Sequence, residues 1–220
     1  YHQRYQVDKE QHAVERVRHL FAHSLNYEKP DIPPHYGIEQ YFNVQASQAP
    51  YVMFLHGTTW VNKLWPEIYW QQLAEMARAH GYLVKMNSGN AEEKARADRI
   101  AVAVAGVEAL PRKPLEELGD LIANAAGVVA VDTGLGHLAA AIDRPLVSLY
   151  GPTDPVLVGT YGRRQICLKA EFSCAPCLNR TCHYTGTDRP VEPPCFGQLP
   201  PKVVWQAFQS LLQQNAEEST

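Results

Sequence analysis

Between Tyr51 and Tyr150, short apolar runs alternate with longer segments whose apolar positions recur at helical spacing. The runs are Tyr51–His56 (YVMFLH), Tyr82–Met86 (YLVKM), Val128–Val131 and Leu146–Tyr150. Each is too short for a helix and rich in Val, Leu or aromatic residues, so each predicts a buried strand. The intervening segments Pro66–His80, Glu92–Val104 and Pro114–Ala126 predict helices, as does the Ala/Leu-rich stretch after Asp132-Thr133-Gly134. Pro66 falls in the first turn of its helix and Gly81 at its end, matching the conformational preferences of the two residues. Alternation at this spacing implies an α/β fold: a Rossmann-like, doubly wound parallel sheet with helices on both faces. Ligands of such sheets sit beyond the carboxyl ends of the strands. The informative loops are therefore those after His56, Met86, Val131 and Tyr150.

The flanks are patterned differently. Ala13, Val14, Val17, Leu20 and Phe21 recur at helical spacing in a charged background, predicting an amphipathic helix over Lys9–Ser24. Its apolar stripe must cover something, and Arg16 and Arg18 are expected to face solvent or a partner domain. Residues 27–50 are rich in Pro, Gln and Asn and read as a linker with one short strand near Tyr41. The expected organisation is a helix and linker over 1–50, a compact domain over 51–200 and a C-terminal helix over 201–220, centred on Pro201–Gln214.

Composition narrows the partners. A chain of 220 residues with net charge −3 lacks the clustered basic excess that nucleic acid demands, which leaves small molecules. No apolar stretch approaches the roughly 18 residues of a spanning helix, and no signal-peptide pattern opens the chain, so a soluble cytoplasmic protein is expected. The chain begins Tyr1-His2-Gln3-Arg4 and has no methionine before Met53, which suggests a fragment or processed product.

The candidate chemistry lies in the loops. A helix opening directly after a strand presents unpaired N–H groups and a positive dipole end, and glycines let an anion come close. Thr133, Gly134, Leu135 and Gly136 are placed to supply such donors. Asp132 cannot greet a phosphate itself, so it should cap the turn or bind neutral hydroxyls beside the phosphate. In the first loop, Thr58 and Thr59 offer hydroxyls and Lys63 a point charge for a diphosphate, although the same residues suit a plain turn and a surface lysine. After Met86, Glu92 and Glu93 fall where a helix dipole favours carboxylates, and one of them could instead accept from the two hydroxyls of a ribose. His137, one turn into its helix, suits packing or capping as well as catalysis. Gly151-Pro152-Thr153-Asp154-Pro155 reads as a turn that closes over the ligand.

Cys174, Cys177, Cys182 and Cys195 form C-x2-C-x4-C-x12-C in an aperiodic segment. They could make a structural zinc site, though the spacing lacks the paired C-x2-C of common zinc ribbons, and a cytosolic setting disfavours disulfides. Cys167 reads as a buried strand residue.

Taken together, VDTGLGHLAAAIDRPLVSLYGPTDP and the upstream HGTTWVNKLWP closely resemble the C-terminal half of the lipopolysaccharide heptosyltransferases, glycosyltransferase family nine. The TDP after YGP and a following Gly-Thr-Tyr-Gly are closer to the heptosyltransferase I branch than to heptosyltransferase II, and the similarity covers nearly the whole chain. The resemblance implies the C-terminal domain of a GT-B architecture, in which two Rossmann-like domains enclose the active site. It implies inverting transfer of L-glycero-D-manno-heptose from ADP-heptose to the Kdo of Kdo-lipid A, with no obligatory metal or other cofactor. A lipid-linked acceptor implies peripheral association with the cytoplasmic face of the inner membrane. By motif match, Asp132 contacts the donor; Thr133, Gly134, Thr58, Thr59 and Lys63 hold the diphosphate; Glu93 binds the ribose; and His137 lies near the donor. Lys63 and Asp132 are the expected catalytic pair. The N-terminal acceptor domain, which carries the aspartate resembling a catalytic base, has no counterpart here, so the chain is expected to bind donor without turning it over. A free-standing nucleotide-sugar binding module and a GT-B-like nucleotide-sugar epimerase remain alternatives.

Overall fold

A computed structural model of the chain describes residues 3–44 and 49–218, with side chains as far as residue 214. Residues 45–48 of the expected linker and 219–220 of the expected C-terminal segment lie outside the described residues.

Six strands form one wholly parallel sheet: β1 Tyr51–Leu55, β2 Leu83–Met86, β3 Val107–Ala109, β4 Gly127–Val131, β5 Leu146–Tyr150 and β6 Gln165–Lys169. Their order is β3-β2-β1-β4-β5-β6. Every residue of β1, β4 and β5 is buried, as expected of central parallel strands covered on both faces. Successive residues divide between two cores. Val52, Phe54, Val129, Val131, Val147 and Leu149 pack with Trp70, Leu73 and Ile100 and with Val204, Trp205 and Phe208. Those partners come from helices α2 (Glu67–Ala79), α3 (Ala91–Ala103) and α7 (Pro201–Glu218). Met53, Leu55, Val128, Ala130 and Leu146 pack with Leu118 and Ile122 of α4 (Leu115–Ala123) and Ala139 and Ala140 of α5 (Gly134–Ala141).

The strand order reverses between β1 and β4, so the connections leaving these two neighbours diverge to opposite faces and open a crevice at their carboxyl ends. That crevice receives the loops after His56 and Val131.

The flanks depart from expectation. Helix α1 runs over Ala13–Leu25, starting later than Lys9 because His12 caps it, its ring nitrogen accepting the Val14 N–H. Of its stripe, Val17, Leu20 and Phe21 are exposed and Ala13 and Val14 half-buried; the buried residue of the helix is Ala22, outside that stripe. Arg18 does not simply face solvent: it pairs with Glu15 at 2.7 Å and donates to the carbonyls of Pro30 and Ile32, folding the linker back onto α1. Near Tyr41 the chain forms a 3-10 turn, Glu39–Tyr41, rather than a strand. Cys167 lies on β6 as expected but is only half-buried, because β6 is an edge strand. No described helix is long and apolar enough to cross a membrane.

Candidate donor-binding site

The loop after β1 crosses over the end of β4. Thr58 Oγ1 donates to the Asp132 carbonyl at 3.1 Å, tying the two loops together. The chain then makes a 3-10 turn over Val61–Lys63, which brings Lys63 Nζ to 2.7 Å from Asp132 Oδ2. The same carboxylate oxygen accepts the Thr153 hydroxyl at 2.7 Å. The Trp60 ring lies under Lys63 Nζ, 4.2 Å from its centroid, and this contact further fixes the ammonium.

Asp132 does not cap α5. Thr133 is the N-cap, its side chain makes no capping bond, and the carboxylate turns instead to Lys63 and Thr153. Gly136 does not offer a free donor either, because its N–H returns to the Thr133 carbonyl at 3.0 Å. Gly134 and Leu135 are left at the open end of the helix, where first-turn N–H groups have no intrahelical partner. One turn on, burial pushes the His137 pKa below the usual histidine value, so its ring is neutral near pH 7.

Glu93 falls in the first turn of α3, where the helix dipole favours a carboxylate. Its backbone N–H is capped by Asn90 Oδ1 at 2.9 Å, while its carboxylate accepts from Gly89 N at 2.7 Å and Asn90 Nδ2 at 3.0 Å. This carboxylate also lies over Gly57, where any side chain would collide with it. Glu92 does not line the cleft.

Thr58, Thr59, Lys63, Glu93, Asp132, Thr133, Gly134, Leu135 and His137 all line one cleft of about 480 Å³. These nine residues thus meet in a single place, while Gly136 and Glu92, also considered from the sequence, do not line it.

A family model described as Glycosyltransferase family 9 (heptosyltransferase) matches residues 1–187. The chain belongs to glycosyltransferase family 9. Lipopolysaccharide heptosyltransferase 1 of Pseudomonas aeruginosa is 45% identical over 221 residues, covering 96% of this chain and 62% of that protein. The Escherichia coli K12 protein of the same name is 45% identical over 172 residues, covering 77% of this chain and 54% of its own length. The structure of E. coli heptosyltransferase WaaC with ADP superposes with a TM-score of 0.80 at 38% identity, over 96% of this chain and 60% of that one. The chain therefore spans between 54% and 62% of the length of these relatives.

In this family 9 chain the cleft also holds residues that the motifs did not single out. Asn87 and Ser88 line it after β2, 4% and 3% exposed, and Asn87 Oδ1 and Ser88 Oγ are buried without a hydrogen-bond partner. Arg112 and Lys113 line it after β3, with Lys113 tied to Glu117 at 2.7 Å. Asn-Ser-Gly-Asn reads as turn composition, and the three-residue β3 is too short to show a period; these signals hid both pairs. His56 closes β1 beneath the cleft, fully buried, with Nε2 donating to the Asn87 carbonyl at 2.9 Å. Burial lowers its pKa to about 4.

The cysteines stand apart. Cys174, Cys177, Cys182 and Cys195 are free thiols around a separate cavity of about 250 Å³. No group of three or more His, Cys, Asp or Glu among the described residues stands ready-made to hold a metal ion.

Proposed function

We propose that this chain is the donor-binding half of a lipopolysaccharide heptosyltransferase of the type I branch. It binds ADP-L-glycero-D-manno-heptose for inverting transfer of the heptose to the Kdo of Kdo-lipid A. The observation that carries this reading is the Lys63–Asp132–Thr153 cluster at the open N-terminus of α5, at the reversal point of the sheet, in a chain 45% identical to lipopolysaccharide heptosyltransferase 1. A structure of E. coli WaaC with ADP-2-deoxy-2-fluoro heptose, at 38% identity, supports the choice of donor.

The chemistry suits the cleft. Breaking the bond between sugar and diphosphate builds positive charge at the anomeric carbon and negative charge on the leaving group. Preorganised donors at the diphosphate therefore lower the barrier. Lys63, the Thr59 and Thr133 hydroxyls and the N–H groups of Gly134 and Leu135 are such donors, while Thr58, whose hydroxyl donates to the Asp132 carbonyl, holds the loop that presents them. Asp132, held by Lys63 and Thr153, takes sugar hydroxyls rather than phosphate. Glu93 takes the ribose hydroxyls, and the unpartnered Asn87 Oδ1 and Ser88 Oγ supply further polar groups beside it. No residue of the cleft is assigned the proton of the acceptor hydroxyl. Peripheral association with the inner membrane on its cytoplasmic face, where such an acceptor is anchored, belongs to the same proposal.

Isothermal titration of the chain with ADP and ADP-heptose tests the reading. Binding that is lost in Lys63→Ala supports it. Absence of binding, or a Lys63→Ala protein indistinguishable from the parent, rejects it.

A further inference from the structure

The donor cleft follows the carboxyl edge of the sheet past four neighbouring strands, in the order β4, β1, β2 and β3. Lys63 and the open end of α5 stand after β1 and β4, and Glu93 stands after β2. A nucleoside diphosphate runs from phosphate through ribose to base. A ligand whose diphosphate and ribose occupy the first three strand ends therefore sets its base against whatever follows β3. That wall of the cleft is Arg112, Lys113 and Leu118.

The wall offers few groups to the polar edge of a base. Pro111 and Pro114 have no N–H, and the Leu110 N–H donates to the Met86 carbonyl at 2.9 Å. Lys113 Nζ donates to the Glu117 carboxylate at 2.7 Å, which engages both side chains.

The flat surfaces there are better provided. Leu118 is 8% exposed and belongs to the core beneath α4, so its apolar side chain is a fixed surface. Arg112 is exposed, and among the described residues its guanidinium has no ion pair or hydrogen bond. A guanidinium is planar and weakly hydrated, and it is attracted to the face of a π-system.

We propose that Arg112 lays its guanidinium on one face of the nucleotide base, with Leu118 against the other, and so selects purine over pyrimidine nucleotides. The inference rests on the donor reading given under Proposed function and adds to it the residue that holds the base. Two fused rings cover more of the guanidinium and of Leu118 than one ring does, and stacking and burial grow with the area covered. Arg112 stands at the end of the cleft remote in strand order from Lys63 and Asp132, so it holds the donor and takes no part in breaking the bond to the sugar.

Isothermal titration of the chain with ADP, UDP and ribose 5-diphosphate tests the assignment. The parent is expected to bind ADP about tenfold more tightly than UDP. Arg112→Ala is expected to weaken ADP about tenfold and UDP about twofold, and to leave ribose 5-diphosphate, which has no base, unchanged. Arg112→Lys keeps the charge and loses the plane, so it should behave as the alanine variant does. The side chain is exposed and unpaired, so both variants should keep the circular dichroism and melting temperature of the parent. Equal losses of ADP and ribose 5-diphosphate, or recovery of ADP affinity in Arg112→Lys, would make Arg112 a phosphate contact and overturn the proposal. ADP affinity unchanged in Arg112→Ala, or a parent that binds ADP and UDP equally, overturns it as well. A parent that binds none of the three ligands rejects the donor reading itself, and this inference with it.

Discussion

Lys63 Nζ and Asp132 Oδ2 meet at 2.7 Å with side chains only 14% and 9% exposed, and the Thr153 hydroxyl reaches the same oxygen. The two charges come from loops after adjacent strands, so the pairing of β1 with β4 brings them together. A carboxylate beside a diphosphate site repels the ligand unless a cation stands between them. Lys63 is in that position.

The two partners should therefore affect ADP in opposite directions. Lys63→Ala removes a charge-assisted contact to phosphate, worth about 1.5–3 kcal/mol, and is expected to weaken ADP by roughly 10- to 100-fold. Asp132→Asn removes the repulsion and frees Lys63, so ADP should bind as well or better while ADP-heptose loses its sugar contact. Calorimetry with both ligands reads this. If Asp132→Asn weakened ADP as much as Lys63→Ala does, the division of labour would be wrong.

A methyl group added at Gly57 would lie 2.6 Å from both Glu93 carboxylate oxygens. The obstacle is the tip of a flexible side chain, so Gly57→Ala should displace Glu93 rather than unfold the protein, changing stability by less than about 0.5 kcal/mol. Both Gly57→Ala and Glu93→Ala should weaken ADP about 5- to 10-fold, and the double variant should be little worse than either. Additive losses in that cycle would show that Gly57 acts without Glu93.

His56 gives the fold a dependence on pH. Its pKa falls from 6.5 to about 4, chiefly through burial, so the unfolded chain takes up the proton first. Its contribution is complete above pH 6.5 and is lost as pH falls through about 4. The amount is on the order of 3 kcal/mol. Urea unfolding at pH 7, 5.5 and 4.5 should show a parent slope that His56→Gln lacks, the amide preserving the donor to the Asn87 carbonyl. A variant with an unchanged slope would place the titration elsewhere.

Much of this was legible in the chain because the central strands are buried on both faces, which writes them as unbroken apolar runs. YVMFLH and LVSLY announce β1 and β5 for that reason. The half-covered edge strand β3 has only three residues, so Arg112 and Lys113 behind it went unseen. The motifs placed Lys63, Glu93 and Asp132 at one sheet edge, but no local pattern could show that Lys63 pairs with Asp132. That contact joins residues 63 and 132, and it depends on strand order rather than on neighbours in sequence. The same is true of the α1 stripe, whose spacing predicts an apolar face but not whether anything packs against it.

Gly134 offers a way to separate fold from binding. It opens α5, lines the cleft and would meet nothing within 4 Å if it gained a methyl group. Alanine is favoured over glycine in a helix by up to about 1 kcal/mol, so Gly134→Ala should leave stability unchanged or raise it slightly. The methyl group occupies the space through which an anion reaches the Gly134 and Leu135 N–H groups, so ADP should bind at least about tenfold more weakly. Adenosine, which has no phosphate, should be unaffected. Thermal melts alongside titrations of the two ligands check all three expectations. Equal losses for ADP and adenosine would mean that the α5 N-terminus is not where the diphosphate sits.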